Sequence, residues 1–171
     1  MNTLLDKYFN RPVFWDYMLS SVIGILAYLS VEYFSWIKIP NPETMFAVST
    51  DLATIGLTCA GFLITLLTVL ITFKTGSTIT QKSDTNKKSI FELFFASDLY
   101  FQTVKHFKNG IKSLLFISVI GYLLKILMPK TLHEYLFYYN LPSLGIIVLT
   151  LWRATLILSQ VLKMQKEVVD L

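Results

Sequence analysis

Residues 52–73 run for 22 positions without a charge, held between Asp51 and Lys74. A helix rises 1.5 Å per residue, so about 20 residues cross a hydrocarbon layer of ~30 Å. Helices of a small water-soluble domain keep one polar face, and this run has no charged one to offer. It therefore spans a membrane. Three more apolar blocks accompany it, and the four cover roughly residues 13–37, 47–73, 111–128 and 141–162. Composition agrees: 15% of the 171 residues are charged, against about 25% in a soluble domain, and the mean hydropathy is +0.57. The predicted fold is all-α, a single polytopic membrane domain over residues 1–171 with four transmembrane helices.

The connections carry the topology. "KIPNPETM" breaks the first block from the second at Pro40 and Pro42, and "MPKTLHEYLFYYNLP", bounded by Pro129 and Pro142, separates the third from the fourth. The opening stretch "MNTLLDKYFNRPVFWDYM" lacks the basic start and small-residue cut of a signal peptide, so the first block is expected to stay as a helix. Lysine and arginine are distributed unevenly. Lys7, Arg11, Lys74, Lys82, Lys87, Lys88, Lys105, Lys108, Lys112, Lys163 and Lys166 fall on one side, and only Lys38 and Lys130 on the other. The positive-inside rule then predicts that both termini and the connection 74–110 are cytoplasmic. Phe14, Trp15, Tyr33, Phe34 and Trp36 flank the first block, and Tyr135, Phe137, Tyr138 and Tyr139 precede the fourth, as a headgroup belt requires.

The connection 74–110 is expected to contain a helix of its own. "SIFE" at residues 89–92 is a capping box, and the following run ends at the helix-stopping pair Asn109-Gly110. Over about residues 90–108, Ile90, Leu93, Phe94, Tyr100, Phe101 and Val104 share one face, while Phe91, Phe95 and Leu99 make a smaller apolar strip. Glu92, Asp98, Lys105 and Lys108 argue against a buried span, so this reads as an amphipathic helix at the cytoplasmic interface. The strip Phe91, Phe95, Leu99 is a candidate partner contact or packs within the protomer. Lys82, Lys87 and Lys88 are candidates for contact with anionic lipid or an acidic partner, beyond their part in setting topology.

Catalytic constellations are missing from the sequence. His106 and His133 fall on opposite membrane sides, the single Cys59 sits inside an apolar block, and no phosphate loop or zinc-hydrolase pattern occurs. The expectation is a non-enzymatic chain with no cofactor, no metal and no direct nucleic-acid contact. Ionisable residues at membrane depth are costly and therefore informative. Glu32, Asp51 and Lys125 share a depth, which suggests a Glu32–Lys125 or Asp51–Lys125 pair, or acids ringing an oligomeric pore mouth. Arg153 lies deep in the fourth block with no acid expected at its depth; it snorkels, faces a polar cavity or meets a neighbouring subunit.

The second block carries a ruled line. Asp51, Thr54, Thr58, Gly61, Thr65, Thr68, Thr72 and Thr75 step alternately by three and four residues. A seam of period 3.5 is that of a left-handed supercoiled contact, and in lipid helices associate through small residues and hydroxyls. Three readings follow: packing within the protomer, self-association, or a threonine-lined aqueous path. Hydroxyls can also bond back to their own helix. Ala53, Gly56 and Ala60 offer a second small face, with Ser20, Gly24, Ala27, Ser118 and Gly121 as counterparts elsewhere.

The four-span layout, the basic inward connection and the block "TIGLTCAGFLITLLTVLITFKT" resemble small bacterial membrane proteins of antiphage defence, namely the Kiwa membrane subunit and the membrane accessory proteins beside Cas13b. The segment "GFLIT" at residues 61–65 is the part of the texture that recurs among four-span proteins. The likeness covers the whole chain in layout and only the second helix in sequence, and no functional residue is carried over from it. It implies an oligomeric, multi-pass protein of the bacterial inner membrane. Such a protein would work with a cytoplasmic partner docked on residues 75–110 and the tail "KMQKEVVDL", sensing or transmitting a defence signal. The alternative is an oligomeric pore that depolarises the membrane.

Overall fold

A computed structural model describes residues 8, 11–80, 94–95 and 97–169. The capping box at 89–92, Lys82, Lys87, Lys88 and Phe91 lie outside the described residues. Among the described residues four long helices follow one another: α1 (Pro12–Glu32), α2 (Pro42–Thr80), α3 (Asp98–Leu127) and α4 (Leu136–Val169), with a 3-10 turn at Lys130–Tyr135 before α4. All four are long and apolar enough to cross a membrane, and no strand occurs among the described residues. The chain is an all-α polytopic membrane protein.

Helix ends differ from the sequence expectation for local reasons. α1 stops at Glu32 rather than near residue 37, because Ser35 adopts a left-handed backbone (φ 50°) and the Phe34 and Trp36 rings pair beyond it. α2 begins at Pro42, where proline lacks only an amide that a first turn leaves unbonded, and the Asn41 side chain accepts from the Thr44 amide at 2.8 Å. α3 corrects a larger expectation. Residues 98–127 form one helix straight through Asn109-Gly110, so residues 98–108 of the expected amphipathic segment continue the third span. Gly110 serves close approach instead: a side chain there would press on Thr150, Leu63 and Arg153. α4 starts at Leu136 and keeps Pro142 inside it, so the proline bounds no loop.

Two faces hold the bundle together. α1 packs along α4, with Gly24 against Pro142 and Ser20 against Gly145. α2 packs along α3 through Ala53, Gly56, Ala60 and Leu63, with Gly121 beside Ala53 and Ser118 beside Gly56. Lipid is as apolar as leucine, so such contacts rest on close approach of backbones rather than on expelled water. The outer surface is correspondingly greasy: Ile25, Leu26, Phe62, Phe116 and Trp152 are all exposed.

Gly56 leaves no room for a side chain in the α2–α3 contact, since a methyl group there would collide with the buried Ser118 hydroxyl. Gly56→Ala is expected to destabilise the protomer by about 1–3 kcal/mol, and adding Ser118→Ala should restore most of that. Thermal or denaturant unfolding in detergent of the four members of the cycle checks this.

Candidate functional site

The sequence-predicted face is found on the outside. Asp51, Thr54, Thr58, Gly61, Thr65, Thr68, Thr72 and Thr75 are all exposed on the protomer. The buried residues Ala53, Gly56, Ala60, Leu63 and Leu70 each stand two positions after a member of that line. Two residues turn a helix by about 200°, so the lines lie on opposite faces. Packing of the threonine line within the protomer is thereby ruled out for this fold. The second small face fills that place.

The hydroxyls do not wait for a partner. Thr54, Thr58, Thr65, Thr68, Thr72 and Thr75 each donate to the carbonyl four residues back, at 2.9–3.1 Å. Their polar atoms are satisfied inside α2, so the face tolerates lipid or another helix without a stranded donor. Thr54 alone also reaches across, its hydroxyl 3.2 Å from that of Tyr122 on α3. Gly61, at the middle of the line, opens onto empty space with no heavy atom within 4 Å of a would-be side chain.

The intramembrane charges take partners that helix order decides. Glu32 sits on α1, which packs on α4, and it accepts from the Tyr138 hydroxyl at 3.4 Å. Lys125 lies 4.6 Å from the centre of the Phe46 ring, which stacks in turn on His133. Neither Glu32 nor Asp51 pairs with Lys125, because α1 faces α4 and Asp51 lies on the outward line of α2. Phe95 is buried in the protomer core beside Phe94 and Tyr100, so it offers no partner surface, whereas Leu99 is exposed.

Arg153 has a partner that sequence reasoning missed. It pairs with Asp16 of α1, both side chains are only 2% exposed, and among the described residues this is the one ion pair. The Tyr8 hydroxyl donates to the other Asp16 oxygen at 2.7 Å. Burial first, and then the hydrogen bond to Asp16, push the Tyr8 phenol up to about 12, so it stays a donor at any physiological pH. Beside the guanidinium runs a crevice with no room for a water molecule, lined by Leu63, His106, Gly110 and Thr150. Nη2 of Arg153 and the Thr150 hydroxyl make no hydrogen bond there. The missed signal is readable afterwards: antiparallel α1 and α4 bring position 16 level with 153, as they bring 32 level with 138.

No three His, Cys, Asp or Glu side chains among the described residues gather at metal-binding distance. Two arrangements therefore stand out: an inner charge pair that ties α1 to α4, and an outward threonine face.

Removing one member of a buried pair leaves the other charge uncompensated, at a cost of about 3–5 kcal/mol, while replacing both by apolar side chains is often neutral. Asp16→Leu and Arg153→Met are each expected to lower unfolding stability in detergent by that order. The double variant should return close to the wild-type midpoint. Compared with protein-family models, curated proteins and solved structures, the chain has no match in any of the three.

Proposed function

We propose that the chain is a non-enzymatic subunit of a bacterial inner membrane that self-associates along the threonine face of α2 and transmits a defence signal to a cytoplasmic partner. One observation carries the self-association: a heptad-spaced face of small and hydroxyl residues, exposed from Asp51 to Thr75, with Gly61 open at its centre. Helices in lipid meet through such faces, and the protomer has already used the opposite one. The resemblance to antiphage membrane subunits supports the defence role, and the lysine-rich connection supports a cytoplasmic docking surface. With Phe95 buried in the core, the docking residues reduce to Lys82, Lys87, Lys88, Phe91 and Leu99.

The pore reading draws on the same face, whose hydroxyls and Asp51 would surround a shared axis. Against it, Arg153 is committed to Asp16 inside the protomer, and the hydroxyls of Thr54, Thr58, Thr65, Thr68, Thr72 and Thr75 are already bonded to their own helix. The subunit reading therefore stands first.

Single cysteines at positions 58, 61 and 65, in a Cys59→Ala background, should oxidise to covalent dimers in native membranes, while cysteines at the exposed positions 26 of α1 and 152 of α4 should not. Gly61→Leu should abolish the oligomer yet leave protomer stability within about 0.5 kcal/mol. Equal cross-linking at all five positions, or a monomer throughout, would remove the idea. Ion flux from liposomes that vanishes on replacing Thr58, Thr65 and Thr72 by leucine would move the reading to the pore. Deleting residues 82–88 should abolish recovery of the cytoplasmic partner from detergent extracts without reducing membrane insertion; unchanged recovery would dismiss the docking surface.

A further inference from the structure

A groove of about 440 Å³ opens between the start of α1 and the middle of α3, lined by Val13, Tyr17, Asn109, Lys112, Ser113 and Phe116. It exists because α1 leans on α4 and touches α3 only lightly, while the Ser113 hydroxyl donates to the Tyr17 hydroxyl at 3.1 Å and holds the two walls at this spacing. Its size falls within the range of small-molecule sites, ~300–1,000 Å³.

The wall on α3 is ordered along the membrane normal. Lys105, Asn109, Lys112 and Phe116 step by four, three and four residues and so share one face. Read inwards, that face runs cation, amide, cation, ring. Lys105, Lys112 and Phe116 are exposed. Neither lysine is paired with a carboxylate among the described residues, and α3 carries no acid after Asp98. The Tyr17 hydroxyl accepts from Ser113 and keeps its own proton to donate. The polar end of the groove thus presents an ammonium, a carboxamide and a phenol hydroxyl, with no carboxylate among its lining residues. Val13 and Phe116 provide the apolar wall.

We infer that this groove binds one anionic phospholipid, its phosphodiester held by Lys112, Asn109 and Tyr17 within reach of Lys105, and an acyl chain laid against Phe116 and Val13. A phosphodiester offers only acceptors and a negative charge, which complements a cationic wall that has donors and no carboxylate. Basic pockets between transmembrane helices are sites where such headgroups collect. A zwitterionic headgroup brings its own ammonium towards the lysines and fits less well. The inference needs the chain to sit in a membrane and is independent of self-association along α2.

The test is native mass spectrometry of the full chain in detergent, titrated separately with phosphatidylglycerol and phosphatidylcholine. The wild type is expected to retain one phosphatidylglycerol per protomer in preference to phosphatidylcholine. Each of Lys105→Gln and Lys112→Gln should weaken phosphatidylglycerol about fivefold, and the pair roughly thirtyfold, with phosphatidylcholine unchanged. Lys130→Gln, at the other end of the bundle, should change neither. Val13→Trp, which fills the groove without touching a charge, should displace the lipid in protein that still unfolds at the wild-type temperature. Equal retention of both lipids by the wild type, or undiminished phosphatidylglycerol binding by the Lys105→Gln/Lys112→Gln double variant, overturns the inference. Because the readout is per protomer, a failure here is separate from any failure to oligomerise.

Discussion

The buried pair of Asp16 and Arg153 is the constraint around which the bundle is arranged. An unpaired charge buried in the bundle costs several kcal/mol, so the helices that carry these two residues have one acceptable register. That register sets α1 antiparallel on α4, with Ser20 against Gly145, Gly24 against Pro142 and Glu32 within reach of Tyr138. Tyr8 completes the carboxylate from the chain before α1. Gly110 on α3 lets a third helix close over the guanidinium.

Committing α1 to α4 has consequences on the far sides of the bundle. α1 is left with little purchase on α3, and the groove between them stays open at the lysine-rich end. α2, placed against α3 by its line of Ala53, Gly56, Ala60 and Leu63, is left with its threonine line outside. The exposed threonine face and the groove beside α3 are thus both products of which helix pairs use up which small residues. Because the threonines bond back to their own carbonyls, the outward face is stable in lipid and still available to a neighbour.

What was legible in the sequence followed from properties that reside in short windows. The uncharged run 52–73 announces a span by length alone, and the lysine asymmetry proposes an orientation. Proline was a divided guide: Pro40 and Pro42 mark the break between α1 and α2, whereas Pro142 is carried within α4. Asn109-Gly110 looks like a stop, yet the helix continues because glycine answers a packing need there.

The sequence by itself determined that this chain crosses a membrane four times as helices, because hydrocarbon demands that each span satisfy its backbone internally and hide its charges. It also determined that α2 carries two small-residue faces, since a 3.5-residue period is visible in one dimension. Only the tertiary structure decided which face looks outward and that Arg153 finds its acid 137 residues away. The physical reason is degeneracy. Both faces of α2 meet the steric demand of a helix contact in lipid, and an arginine is satisfied by any carboxylate that packing brings level with it. Which helix comes to lie beside which is fixed by the joint fit of all four.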